Sequence, residues 1–157
     1  MSSRFEFSHD AETVYSLLTD PQFLVDRSLA LGELSADCEV EEDDDSATVT
    51  MTREVKRDLP AFLAKLFNPI QTMSMTEEWQ RKDDGFSGHY RIEVHGQPVT
   101  IDAQFGLKPG KKGCIYTIEF SCKARIPLVG RKVEQFIAEQ AKEGVSKEMA
   151  YLKKQLG

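Results

Sequence analysis

Two charged residues in this chain stand where side chains could do chemistry inside a protein. Arg53 follows Ala47, Val49 and Met51 on the inward phase of one alternating segment. Glu77 sits between Met75 and Trp79 on the inward phase of the next. A charge directed into an interior is costly unless paired, so pairing with each other across adjacent strands is the simplest expectation. The alternatives are a strand bend that turns both outward, or a polar anchor that fixes a carboxylate or hydroxyl within an apolar pocket. Tyr90 and Tyr116, also on inward phases, complete the polar groups available to such a pocket.

The rest of the chemistry-bearing residues exclude more than they suggest. His89 and His95 share a strand face with Arg91 and Glu93, opposite the apolar residues, so both are expected to face water. His9 falls at a strand–helix junction. No Ser/His/Asp or Cys/His spacing and no glycine-rich phosphate loop occurs, so no catalytic residues are assigned. The acidic run Glu41–Asp45 lacks the ligand and glycine spacing of a calcium loop and reads as a solvated turn. Cys38, Cys114 and Cys122 are an odd number without metal-like spacing, so neither a metal nor another cofactor is expected. Cys114 and Cys122 lie on one strand, about 26 Å apart at about 3.3 Å per residue, too far to bridge. A net charge of −6 argues against a nucleic-acid partner. The opening Met1-Ser-Ser-Arg-Phe-Glu-Phe is not signal-like, and no apolar run nears the roughly 20 residues needed to span a bilayer. Reduced thiols, a cytoplasmic location and no transmembrane segment are therefore expected.

The elements that must position these residues are legible from period and punctuation. Residues 4–8 alternate, with Phe5 and Phe7 on one face. Asp10 caps a helix over 11–19, and Asp20-Pro21 starts a second that Gly32 ends. Strands follow at 33–41 and 47–55, then a proline-bracketed apolar stretch at 60–69 that predicts a short inserted helix. From Ile70 the strands are separated only by turns: Asp83-Asp84-Gly85, His95 to Pro98, and Lys108 to Gly113. Connections this short forbid parallel crossovers, so an antiparallel sheet is expected. The last strand, 114–125, has apolar or small residues at every even position and runs into an amphipathic segment, 126–156. In that segment Ile126, Val129, Val133, Phe136, Ile137, Ala141 and Gly144 form one stripe. A second, rotated stripe holds Val145, Met149, Leu152 and Leu156. Gly144 therefore predicts a bend, a close backbone approach, or room for a bound molecule. At 157 residues, with 40% hydrophobic and 29% charged content, one domain covering 1–157 is expected.

This order resembles the helix-grip fold of the START-like (SRPBCC) superfamily, and within it a bacterial family of unknown function. The resemblance is carried by Phe5-Glu-Phe-Ser-His-Asp-Ala, Arg53-Glu-Val-Lys-Arg-Asp-Leu-Pro60-Ala-Phe-Leu, Thr76-Glu-Glu-Trp79, Gly96-Gln-Pro98 and Arg125-Ile-Pro-Leu-Val-Gly130. It implies an α+β fold in which a curved antiparallel sheet of about seven strands grips a long C-terminal helix around a hydrophobic cavity. Two short helices would follow the first strand. No catalytic residues come with the resemblance.

The cavity is expected between the inner sheet face, the terminal helix and the 62–67 segment. Its expected lining is Met51, Arg53, Met75, Glu77, Trp79, Tyr90, Ile101, Phe105, Tyr116, Ile118 and Phe120 from the sheet. Val133, Phe136, Ile137 and Gly144 would line it from the helix, and Phe62, Leu66 and Phe67 from the inserted segment. Non-catalytic binding of a hydrophobic or lipid-like small molecule, by a monomer or weak dimer, is the leading expectation. A cyclase- or dehydratase-like enzyme using the same cavity is the second. The third is a protein-interaction module docking through Phe62–Phe67, since fold alone does not choose among them.

Overall fold

A computed structural model describes residues Met1–Gly157. Seven strands form one curved antiparallel sheet: β1 (Ser2–Phe7), β2 (Ser35–Glu42), β3 (Ser46–Lys56), β4 (Ile70–Lys82), β5 (Gly85–Val94), β6 (Val99–Pro109) and β7 (Cys114–Ala124). Their spatial order is β1-β7-β6-β5-β4-β3-β2. Strands β2 to β7 are thus a meander of hairpins, while β1 lies at the edge opposite β2. The chain crosses between those edges through α1 (Ala11–Leu18) and α2 (Pro21–Ala30). After β7, α4 (Gly130–Leu156) returns across the sheet. The expected helix-grip architecture is the observed one.

Local chemistry sets the elements. Thr13 N–H donates to Asp10 Oδ1 at 2.8 Å, and Asp20 Oδ1 accepts from the N–H groups of Gln22 and Phe23, with Pro21 at the first helical position. Helix α2 ends in a Schellman turn: Gly32, at φ +92°, donates to Leu29, and Glu33 donates to Ser28. That turn places Glu33 just ahead of β2. At the β4–β5 hairpin Asp83 takes φ +53°, as a tight turn demands.

Register defines the inner face. The rung Val49–Glu77–Tyr90–Ala103–Phe120 is followed by Met51–Met75–Ile92–Ile101–Cys122, and then by Arg53–Met73–Val94. Arg53 and Glu77 are therefore two rungs apart, roughly 13 Å at about 3.3 Å per residue. They cannot form the direct pair that their phase suggested. Farther along, Trp79 and Phe105 meet at 4.5 Å between ring centroids, across Gly88. A Cβ on Gly88 would come within 2.5 Å of the Phe105 ring, so glycine is what admits this aromatic packing.

One helical expectation needs correction and another is met. Pro127 and Leu128, the latter at φ +70° and fully exposed, form a turn, so α4 begins at Gly130 and not at Ile126. The short helix expected within 60–69 is present as α3 (Ala61–Ala64), extended by turns to Phe67. No helix is long and apolar enough to cross a membrane.

Candidate functional site

Between Val133, which is fully buried, and Val145, α4 stands off the sheet. Val145, Met149 and Leu152 are buried, whereas Phe136, Ile137 and Ala141 are only partly covered. Beneath this middle stretch lies a groove of about 480 Å³, within the range of about 300–1,000 Å³ usual for small-molecule pockets. Its floor is the inner sheet face (Val55, Met73, Ile92, Val99, Ile101), α4 is its roof, and Leu63 and Phe67 close one end. A Cβ built on Gly144 would meet nothing within 4 Å, so the backbone makes no close approach there and the residue opens onto the groove. Two other surface depressions, of about 580 and 1,070 Å³, carry three apolar residues each, against 15 of 27 here. Of these three the groove has the largest apolar share, although charged side chains also line it.

Deeper in, a second space of about 60 Å³ is enclosed by Met51, Met75, Glu77, Trp79, Tyr116 and Ile118 of the sheet and by Leu18, Leu24, Arg27 and Met149 of the helices. It has room for a few water molecules and not for a ligand of ordinary size. Arg53, Tyr90, Ile92, Val145 and Glu148 border both spaces and form the partition between them. The single cavity expected from the sequence is thus two chambers with a polar wall.

That wall is an ion network. Arg53 Nη1 lies 2.9 Å from Glu33 Oε2 and 3.7 Å from Glu148 Oε2, and Arg27 Nη2 lies 3.3 Å from the same Glu148 oxygen. Arg53 is therefore neutralised by Glu33 and Glu148, not by Glu77. Arg27 is 8% exposed, and its Nε and Nη1 are buried with no partner, as is Glu33 Oε1. Phase on the helices could have found two of these residues: Arg27 follows Leu24 by three positions, and Glu148 lies between Val145 and Leu152 on the buried stripe. Glu33 has no periodic signal, because a turn places it.

Glu77 accepts a hydrogen bond from Trp79 Nε1 at 2.9 Å. Burial pushes its carboxyl up to about 7, against the opposing pull of that hydrogen bond and of Arg27. Tyr90, directly across from Glu77 on β5, and Tyr116 are both held well above the usual phenol range, chiefly by burial. They remain neutral donors at physiological pH. In the groove itself, burial and the neighbouring Arg53 charge hold the Arg57 guanidinium below its usual range.

The expected lining residues divide accordingly. Met51, Met75, Glu77, Trp79, Tyr116 and Ile118 face the small chamber, while Phe67, Ile101, Phe136, Ile137 and Gly144 face the groove. Arg53 and Tyr90 face both. Phe105, Phe120 and Val133 are packed core and border neither space, because neighbouring side chains cover them completely. Phe62 and Leu66, 40% and 42% exposed, point outward. Within one helical turn only one pair spaced by four can face in, and Leu63 with Phe67 holds that place. His89 and His95 are exposed, as their phase required.

Comparison with known proteins follows the same lines. A family model described as "Protein of unknown function (DUF2505)" matches residues 2–156. Among solved structures, a Thermus thermophilus protein superposes with TM-score 0.69 at 13% identity, over 98% of this chain and 94% of that one. A START superfamily protein from Mycobacterium smegmatis gives 0.60 at 13% identity over 100% and 98%. A Chromobacterium violaceum protein gives 0.58 at 18% identity over 99% and 94%. Among curated proteins nothing matches. At these identities the likeness establishes a START-like fold and nothing finer.

Proposed function

The chain belongs to the family described as protein of unknown function DUF2505, and from that premise we propose that it binds a hydrophobic small molecule, non-covalently, in the groove under α4. One observation carries the reading: a space of about 480 Å³, with an apolar floor and a charged rim, opens between the sheet and a helix whose roof has no side chain at Gly144. Close packing is the rule in protein interiors, and a helix held off its sheet forgoes contacts that a smaller separation would make. A ligand in the groove restores them.

Native mass spectrometry and solvent extraction of the purified protein are expected to reveal a hydrophobic passenger. Gly144→Leu, which projects a side chain into the groove, is expected to abolish that cargo while leaving the fold intact. Equal loading of wild type and variant would overturn the groove as the site. The outward pair Phe62 and Leu66 supports a second reading, in which α3 docks a hydrophobic partner protein. Phe62→Ser with Leu66→Ser would then abolish a specific complex without changing groove loading.

A further inference from the structure

We infer that the groove is built for an amphiphile with a singly charged carboxylate head, held by Arg57. The inference rests on the groove being the binding site. Arg57 stands at the end of β3, with its backbone N–H donating to Pro69 at 2.8 Å, and its side chain lines the groove. Its side-chain hydrogen bonds go only to neutral groups, at long reach: Gln140 Oε1 at 3.4 Å and the Met73 sulfur at 3.9 Å. A guanidinium has five N–H donors, so most of its capacity is unused.

Most other charges around the groove are matched or fully wet, although Glu33 keeps one buried oxygen, Oε1, without a partner. Glu33 and Glu148 hold Arg53, and Glu143 pairs with Lys147 at 3.1 Å. Lys56 and Asp58 are exposed to water. No carboxylate lies within 4.0 Å of Arg57. It is the one guanidinium of the groove that is half-buried without a salt-bridge partner, a costly arrangement for the protein alone. Burial and the charge of Arg53 disfavour its charged form, outweighing the opposing pull of Glu33, and an anion in direct contact would offset both.

The geometry selects the head group. A planar guanidinium matches a carboxylate in a two-toothed contact, and one cation neutralises one negative charge. A doubly charged phosphate monoester would exceed the single charge of Arg57 and would have to draw on the exposed Lys56. Leu63, Phe67, Phe136 and Ile137 provide the surface for a chain or ring attached to that head.

The test compares dodecanoate, dodecanol and dodecyl phosphate as probes, by calorimetry, on wild type, Arg57→Met and Arg57→Lys. Wild type should bind dodecanoate more tightly than either other probe. Arg57→Met should weaken dodecanoate roughly ten- to a hundred-fold, the value of a charge-assisted hydrogen-bonded contact, while leaving dodecanol within about two-fold. Arg57→Lys should keep a reduced preference for the acid, and decides the matter should the methionine variant not fold. Equal binding of acid and alcohol by wild type would overturn the carboxylate inference and leave the groove reading standing. Preference for the phosphate would overturn the single-charge argument. Binding of no probe by wild type would overturn both readings.

Discussion

Replacing Glu77 by glutamine isolates the buried carboxyl, because the amide keeps the side chain's shape and can still accept from the Trp79 indole N–H. Burial raises the carboxyl from 4.5 to about 7 in the folded protein, so folding takes up a proton between those values. For an acid with a raised folded pKa, the unfolded chain ionises first. Wild-type stability attributable to this group is therefore full below about 4.5, falls as pH rises to about 7, and is constant beyond. At about 1.36 kcal/mol per pH unit, the difference amounts to about 3 kcal/mol. Urea unfolding of wild type and Glu77→Gln from pH 4 to pH 9 is the assay, and taking the difference between them cancels every other titrating group. The variant should gain about 3 kcal/mol on wild type between pH 4 and pH 8, with most of the change below pH 7. A pH-independent difference would refute the claim that Glu77 is desolvated. A difference of opposite sign would mean that Arg27 outweighs burial and holds the carboxylate ionised.

Other substitutions probe the packing and the ion network. Leu63→Ala should cost about 2–5 kcal/mol in chemical denaturation, whereas Phe62→Ser, on the outward face of the same turn, should change stability by no more than about 0.5 kcal/mol. Gly144→Ala should raise stability by up to about 1 kcal/mol, since the added methyl meets open space within a helix; a loss on thermal melting would show a constraint there. Arg53→Met should cost about 3 kcal/mol because Glu33 keeps its mostly buried charge without a partner, and Glu33→Gln in the same chain should recover part of that loss. Gly88→Ala should shift the near-ultraviolet circular dichroism of Trp79 and lower the melting temperature, because a Cβ there collides with the Phe105 ring.

The site was legible in proportion to how local its causes are. Alternation along β7 and β5 sorted inward from outward residues, since a strand's side-chain period is two whatever lies around it. The same rule put Arg53 and Glu77 on the inner face, where they are. It could not pair them: pairing depends on register between strands, which sets them two rungs apart. The apolar 60–69 stretch announced burial of some residues but not which, because one helical turn hides only the Leu63–Phe67 side. At Ile126 the helical stripe ran past the true start, as Pro127 and the left-handed Leu128 turn override periodicity.

By itself, then, the sequence determined the order of elements, the antiparallel meander, the caps of α1 and α2, and the inward face of each strand. Each of these is a short-range consequence of φ/ψ preference and side-chain spacing. Only the tertiary structure decided that Glu33, Arg53, Glu148 and Arg27 form one network, that α4 stands off the sheet to leave a groove, and that Arg57 is left there without a counter-ion. Charge pairing and void volume depend on distances between segments far apart in the chain, and those distances are set when the whole sheet and its helix pack at once.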